Sequence, residues 1–190
     1  MASTPHLQKD ITSKRLEEYP DVFADILNVL VFQGEPMLRP EFLADSSTNA
    51  YYRDTGSAWH EHRRDVAMAD RRNGVTLALI SLENQVKQDR DMVFRVMGYD
   101  FAAYQKQLSS EDPRRSPVFT LVIYLGPGVW RQPRQLLDAL DLQDIPYRET
   151  LMRKVSNPHL NVVEICRLPA EIRSQFQSDF RLVAEWFRED

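Results

Sequence analysis

The sequence predicts a mixed α/β fold, in which a central mixed sheet is flanked by helices. Two observations predict it. Candidate strands at about residues 59–85 are joined by a Gly-containing turn, and apolar strands follow at about 118–125 and 161–166. Segments with helical periodicity precede, separate and follow these strands. Strands that alternate with helices are typical of α/β domains.

The first predicted element is a helix that begins at Pro20. Proline is favoured at the first helical position, because its missing N–H would have no intrahelical partner there. Apolar residues follow on one helical face, at Phe23, Ile26, Leu27 and Leu30. Gly34 ends the helix, and residues 35–58 are predicted to be irregular.

A long helix is predicted after the hairpin, from about Asp89 to Leu108. Its expected core stripe has an alternating spacing of three and four residues, at Phe94, Met97, Phe101, Tyr104 and Leu108. Residues 109–117 are predicted to be a linker, and residues 133–140 a short helix. Pro169 precedes one or two terminal helices that reach Trp186.

Composition limits the class of protein. With 190 residues, 43% of them hydrophobic and 27% charged, the chain is typical of a globular domain, which we place at residues 19–190 after a polar lead-in at 1–18. The one cysteine, Cys166, excludes an intramolecular disulfide and a Cys-rich zinc site, and is expected in the core. No signal peptide and no apolar run of roughly 18 residues is present. We therefore expect a cytoplasmic protein without membrane association.

Charge is unevenly distributed along the chain. The net charge of −4 argues mildly against a large nonspecific DNA-binding surface. Local clusters of basic residues can still contact phosphates, however. The larger cluster comprises Arg53, His60, His62, Arg63, Arg64, Arg71 and Arg72, and the smaller one Arg114 and Arg115. We expect His60 and His62 to be outward-facing imidazoles rather than zinc ligands.

Three polar residues lie at the ends of the two hairpin strands. Asp65 begins the first strand, and Glu83 and Gln85 end a second strand that is otherwise almost wholly apolar. Glu83 and Gln85 are two residues apart, so they lie on one face. A pair of carboxylates on neighbouring strands can bind a divalent metal ion.

The register of the hairpin decides whether the two acids face each other. With a two-residue Asn73-Gly74 turn, Asp65 would lie opposite Leu82 and face away from Glu83. With a three-residue Arg72-Asn73-Gly74 loop, Asp65 would lie opposite Ser81 and share a face with Glu83. A metal site therefore requires an odd loop or a β-bulge.

With a helix, the Asp65 strand, the Glu83–Gln85 strand and a second helix in this order, the chain resembles the Rpn family of recombination-promoting nucleases, which are often labelled transposases. The resemblance is carried by residues 21–28, 64–66, 82–85 and 91–100, and segments 117–126 and 178–180 are also similar. The family lies in the PD-(D/E)xK superfamily, so the resemblance implies a restriction-endonuclease-like core and Mg²⁺- or Mn²⁺-dependent DNA cleavage. The chain differs from the superfamily in two ways: Gln85 stands where Lys is usual, and longer relatives continue beyond residue 190.

The resemblance implies roles for particular residues. Asp65 and Glu83 would bind the metal ion, with Asp25 as a further ligand, and Gln85 would orient the attacking water. Gln85 lacks the positive charge of a Lys, and from their positions Arg95 and Tyr99 are candidates to compensate by contacting phosphate, since they lie four residues apart on the next helix and off the expected core stripe. Two alternatives stay open: Asp25 is a solvated acid beside an apolar stripe, and Arg95 forms a surface ion pair with Asp91.

The expected function is a metal-dependent DNA endonuclease linked to recombination or mobile elements. DNA is the expected partner, and a homodimer is compatible with the sequence. The alternative is a catalytically weak or inactive relative that acts as a DNA-binding or protein-interaction module. A third interpretation is a toxin–antitoxin or phage-defence component whose protein partner hides the site. An exposed apolar patch on residues 170–188 would favour this third interpretation.

Overall fold

The structure is a computed structural model, and it describes residues 15–46, 49–53, 59–63 and 65–188, with the backbone alone at 49–53 and 59–63. The helices are α1 (Pro20–Leu30), α2 (Met92–Leu108), α3 (Leu136–Ala139), α4 (Arg148–Met152), α5 (Ala170–Arg173) and α6 (Phe180–Trp186). The strands are β1 (Leu43–Asp45), β2 (Asn49–Arg53), β3 (Trp59–Arg63), β4 (Val66–Arg72), β5 (Val75–Gln85), β6 (Val118–Tyr124) and β7 (Asn161–Glu164). Short 3₁₀ helices occupy Pro40–Phe42 and Ile165–Arg167.

Five strands form one mixed sheet in the order β1-β4-β5-β6-β7. The pairs β1–β4 and β4–β5 are antiparallel, whereas β5–β6 and β6–β7 are parallel. Strands β2 and β3 form a separate antiparallel pair. The predicted mixed α/β fold with a mixed sheet flanked by helices is confirmed.

The two faces of the sheet pack against different helices. Alternate strand residues, among them Val66, Met68, Ile80 and Leu82, share a hydrophobic core with α1 and with the C-terminal helices. On the other face, Val122 and Tyr124 pack against α2 and Trp130. Because strand side chains alternate between the two faces of a sheet, the residue before or after each of these lies on the opposite face.

Helix α1 forms where the sequence predicts it. Pro20 stands at its start, and Phe23, Ile26 and Leu27 are buried. The chain then leaves the helix through two residues with positive φ, Gln33 and Gly34, a conformation that glycine adopts at little cost. The residues that follow are not wholly irregular, because β1 and β2 form within 35–58.

The predicted core stripe of α2 is wrong. Of its five members Phe94, Phe101, Tyr104 and Leu108 are exposed, and Met97 is half-buried. The side of α2 that packs on the sheet carries Met92, Val93, Val96 and Tyr99 instead. The helix therefore has two apolar sides, and the more regular of the two faces outward.

Other boundaries differ by a few residues. The segment 59–85 divides into β3, which pairs with β2, and the hairpin β4–β5. Helix α3 is shorter than predicted, and α4 was not predicted. Cys166 is buried, as expected. Among the described residues, no helix is both long enough and apolar enough to span a membrane.

Candidate active site

Strands β4 and β5 are joined by a tight turn and contain a bulge. Arg72 pairs with Val75, so the turn is Asn73-Gly74, and both residues have positive φ, as a type I′ turn requires. The pairing then shifts between Asp70 and Arg71, which leaves Leu77 as the extra residue on β5. The metal-site hypothesis required either a loop with an odd number of residues or a β-bulge, and the structure has the bulge.

The bulge sets which side chains face each other at the far end of the hairpin. Val66 pairs with Leu82 and Ala67 with Ser81. Continued by one residue, this register places Asp65 opposite Glu83, two residues beyond Ser81, the partner expected for a three-residue loop. Asp65 and Glu83 thus project from one face, which is the face covered by α2. In agreement, an oxygen of Asp65 accepts a hydrogen bond of 2.8 Å from the backbone N–H of Asn84.

Glu83 is buried beneath α2 with 2% of its surface exposed. Its Oε1 accepts a hydrogen bond of 2.7 Å from the Arg95 guanidinium and one of 3.2 Å from the Gln85 amide. A buried carboxylate is costly unless it is paired with a cation. Arg95 provides that cation.

Arg95 is held by three groups. One guanidinium nitrogen donates to Asp89 at 2.7 Å, and the other donates to Glu83 and, at 3.1 Å, to the Tyr99 hydroxyl. Burial by itself would lower the pKa of Arg95, but the hydrogen bonds to Asp89 and Tyr99 and the charge of Glu83 outweigh it and raise that pKa. Arg95 therefore pairs with Asp89 and Glu83 rather than with Asp91, the partner in the alternative left open by the sequence.

Tyr99 lies under Arg95 with 1% of its surface exposed. Burial and the nearby Glu83 carboxylate raise the pKa of the Tyr99 hydroxyl, although the hydrogen bond from Arg95 lowers it. Tyr99 is thus a neutral group that positions Arg95. At this depth it has almost no exposed surface with which to contact a phosphate directly.

Sequence reasoning missed two acids at this site. Asp89 holds Arg95, as described above. Glu17 is fully buried and accepts a hydrogen bond of 2.6 Å from the side chain of Asn84, the residue after Glu83. Residues 15–17 are helical and carry this contact, so that part of the predicted polar lead-in belongs to the folded domain. Residues 1–14 lie outside the described part.

Asp25 is placed elsewhere. Its carboxylate accepts hydrogen bonds from the backbone N–H groups of Gln177 and Ser178 and from the Ser178 hydroxyl. It lies on α1, which packs on the opposite face of the sheet from Glu83. Asp25 therefore joins α1 to the segment that precedes α6, and we omit it from the metal ligands proposed below.

Exposed cations lie on two loops at the same edge of the sheet. Lys87 and Arg90 are on the loop that follows β5, and Arg131 is on the loop that follows β6. Gln88 joins these loops by accepting the Arg131 N–H and donating to the Val129 carbonyl. Arg71 and Arg72 lie at the other end of the hairpin. The remaining members of the larger basic cluster have side chains outside the described part, and Arg114 of the smaller one pairs with Asp112.

The donors present fit a hard divalent cation. Asp65, Glu83 and Gln85 offer carboxylate and amide oxygens, which Mg²⁺ and Mn²⁺ prefer. Within the described residues, no group of three or more His, Cys, Asp or Glu side chains is arranged to hold a metal ion. A carboxylate pair is nevertheless enough for Mg²⁺, which commonly uses one or two protein carboxylates together with water and substrate phosphate.

A five-stranded mixed sheet flanked by helices, with two carboxylates at one strand end, is consistent with an α/β nuclease-like core. The chain belongs to the family described as "Putative transposase, YhgA-like", which it matches over residues 65–185, more than half of its length. This match confirms the family resemblance and supports a transposase-like protein that interacts with DNA. No curated protein and no solved structure matches the chain.

Proposed function

We propose that the protein is a metal-dependent DNA endonuclease whose site comprises Asp65, Glu83, Gln85 and Arg95. The observation that supports this most is the β4–β5 register, which places Asp65 and Glu83 on one face at the same strand end. The family match adds the context of transposase-like proteins. The cations of the adjacent loops would contact the phosphates of bound DNA.

In this proposal each residue has a definite task. Asp65 and Glu83 would hold Mg²⁺ or Mn²⁺, which when bound would polarise the phosphate and lower the pKa of a coordinated water. Gln85, half-buried beside Glu83, would orient that water through its amide. Arg95 would present its positive charge to the phosphate oxygens while keeping its hydrogen bonds to the protein. Asp89 and Tyr99 would hold Arg95 in place.

Plasmid nicking in the presence of Mg²⁺ tests the proposal. Asp65→Ala and Glu83→Gln should each lower the nicking rate at least about 100-fold, the size of effect expected when a group that stabilises the transition state is lost. Glu171→Gln removes an exposed carboxylate from α5 and is the matched control, which should cleave as the wild type does. The proposed site would be refuted if the wild type and Glu83→Gln took up Mg²⁺ equally in calorimetry and nicked the plasmid at the same rate.

One observation favours a second candidate, a protein that binds DNA without cutting it. The Arg95 guanidinium already pairs with Oε1 of Glu83 and so neutralises the carboxylate that would hold a metal ion, and Gln85 lacks the positive charge of the usual Lys. The two candidates differ in a simple way. A non-cutting protein would bind DNA equally well with and without Mg²⁺ and would leave plasmid intact, whereas the endonuclease requires the ion for cleavage.

A further inference from the structure

The outward side of α2 carries five apolar residues, which we call the outer stripe: Phe94, Met97, Phe101, Tyr104 and Leu108. Phe101 and Leu108 have 61% and 66% of their surface exposed, and Phe94 and Tyr104 about 40%. The opposite side of α2 is buried against the sheet. A helix that is apolar on both sides is normally covered on both, and an exposed apolar stripe of this length marks a binding surface.

The spacing of the outer stripe indicates what covers it. The intervals are three, four, three and four residues, which are the a and d positions of a heptad repeat. A facing helix with the same spacing fits this surface, because each side chain can insert between four side chains of the partner helix. We therefore take the occupant to be a helix with a similar stripe.

Gly98 is a second, independent sign of close approach. It lies in the middle of α2, four residues after Phe94 and three before Phe101, so it adjoins both on the helix surface. Glycine in a helix interior lowers helix stability relative to alanine. A Cβ at this position would meet nothing within 4 Å, although α2 also contacts strand β2, whose side chains lie outside the described part. Its absence of a side chain leaves a notch into which a facing side chain can insert.

The charges beside the outer stripe favour a second copy of this chain over nucleic acid. On one flank of the outer stripe Gly98 and Gln105 are uncharged, and on the other flank the charged Asp100 accepts a hydrogen bond from Thr120 of the sheet. Two copies brought together by a two-fold axis therefore bring few like charges close together. Nucleic acid binding requires cations that replace counterions. Arg95, the cation nearest the start of the outer stripe, is turned inward to Glu83 and Asp89.

We propose that the protein forms a homodimer in which α2 packs against α2 of a second copy along the outer stripe. Phe94 is adjacent to Arg95, so this interface lies beside the candidate active site in each copy. Helix α2 has 17 residues and is about 25 Å long. A helix pair of this size buries less than a standard interface, so the dimer should be of about micromolar affinity and concentration-dependent. The proposal does not depend on nuclease activity.

Sedimentation equilibrium of the full chain, measured over a range of concentrations, tests the proposal. The wild type should shift from monomer to dimer, and Phe101→Glu should weaken the association at least about 100-fold, because it places two like charges in the apolar contact. Gly98→Gln is the second variant: it fills the notch but favours the helix, so the monomer should keep or raise its melting temperature while association is lost. Leu182→Glu is the matched control, since Leu182 is an equally exposed leucine on α6, and it should dimerise as the wild type does.

Three outcomes would overturn the proposal. One is a wild type that stays monomeric up to a protein concentration of about 1 mM, because a dimer with a dissociation constant above that value is too weak to matter. Another is loss of the dimer in Leu182→Glu but not in Phe101→Glu, which would place the interface on α6. The third is an unchanged mass for Phe101→Glu with weakened binding of a DNA duplex, which would make the outer stripe a nucleic-acid contact. Because the readout is mass, a protein that dimerises but never cuts DNA would refute the proposed function alone.

Discussion

Glu83 and Arg95 form the central pair of the candidate site, and each depends on the other. Removing one partner of a buried ion pair leaves an unpaired charge, which costs more than the pair contributes. The same pairing limits a metal ion, which must share the Glu83 carboxylate with a guanidinium 2.7 Å away. Any substitution that changes the number of cations at Glu83 should therefore change metal binding.

Gln85→Lys is the direct test of this balance. The added ammonium would compete with Arg95 for Glu83, so we expect Mg²⁺ affinity and nicking to fall at least about tenfold, which corresponds to about 1.4 kcal/mol. The double variant Gln85→Lys with Arg95→Gln restores the single cation and should recover part of both. A Gln85→Lys protein that folds normally and cleaves faster than the wild type would show that Arg95 does not already serve as the cation of the site.

Tyr99 gives a prediction about pH. The pKa of its hydroxyl is raised in the folded protein, so the folded state holds this proton more tightly than the unfolded state does. The resulting stability is complete below the unfolded pKa of about 10 and is lost as the pH rises through the folded value. The free energy of unfolding, measured by urea denaturation from pH 8 upward, should fall less in Tyr99→Phe than in the wild type. Tyr147→Phe, at an exposed tyrosine, should follow the wild type; identical slopes for all three proteins would contradict the assignment.

At the level of single residues, the sequence predicts side-chain chemistry better than partners. Alternation within β5 was enough to place Glu83 and Gln85 on one face. The partners Asp89 and Glu17 depend on where α2 begins and on a contact between residues 67 positions apart. No local sequence pattern indicates the contact of Asp89 or that of Glu17. Asp25 shows the converse, since an acid beside an apolar stripe can cap a distant segment as readily as it can hold a metal ion.

Helix α2 shows why the element was predicted and its orientation was not. Periodicity identifies an amphipathic helix, but α2 has two apolar sides, and the more regular one faces outward. The inward side is interrupted by Arg95 and Asp100, which bond to Glu83 and to Thr120. Polar residues at a buried site thus made the buried side look less apolar than the exposed one.

The loop after β6 gives a prediction at the level of the element. A Cβ on Gly126 would overlap the backbone carbonyl of Val86, which follows β5 beside the candidate site, and the Tyr124 hydroxyl. Gly126→Ala should therefore cost about 1–3 kcal/mol of stability and also weaken Mg²⁺ binding, because the loops at the site must separate. Melting temperature and calorimetry measure the two effects.

Gly128→Ala is the matched control two residues later. Gly128 has a φ of 72° and open space around it. Alanine there should cost about 1–2 kcal/mol from backbone strain alone, and metal binding should stay as in the wild type. Equal losses of Mg²⁺ affinity in both variants would mean that the contact with Val86 does not hold the site together.

For the whole molecule, the sheet strands β4 to β7 and the α/β class could be predicted, because long apolar or alternating runs bounded by Gly and Pro mark strands reliably. Strands β1 and β2 could not, since both are short and lack an apolar pattern. The order of strands in the sheet depends on contacts between distant segments, which periodicity does not encode.

The bonds between Asp25 and Ser178 have a consequence for how the chain folds during synthesis. They join positions 153 residues apart, and the core on that face combines α1 with Phe176, Phe180 and Ala184. A growing chain emerges from the ribosome N-terminus first, so α1 must remain without these apolar partners until residues 176–184 have been made. Such distant contacts form slowly, which exposes the intermediate to aggregation and to chaperones. A fragment that ends at Leu168 should therefore keep its far-ultraviolet circular dichroism, lose its near-ultraviolet signal and bind the dye ANS; a cooperative unfolding transition in that fragment would show that α1 is stable without the C-terminal helices.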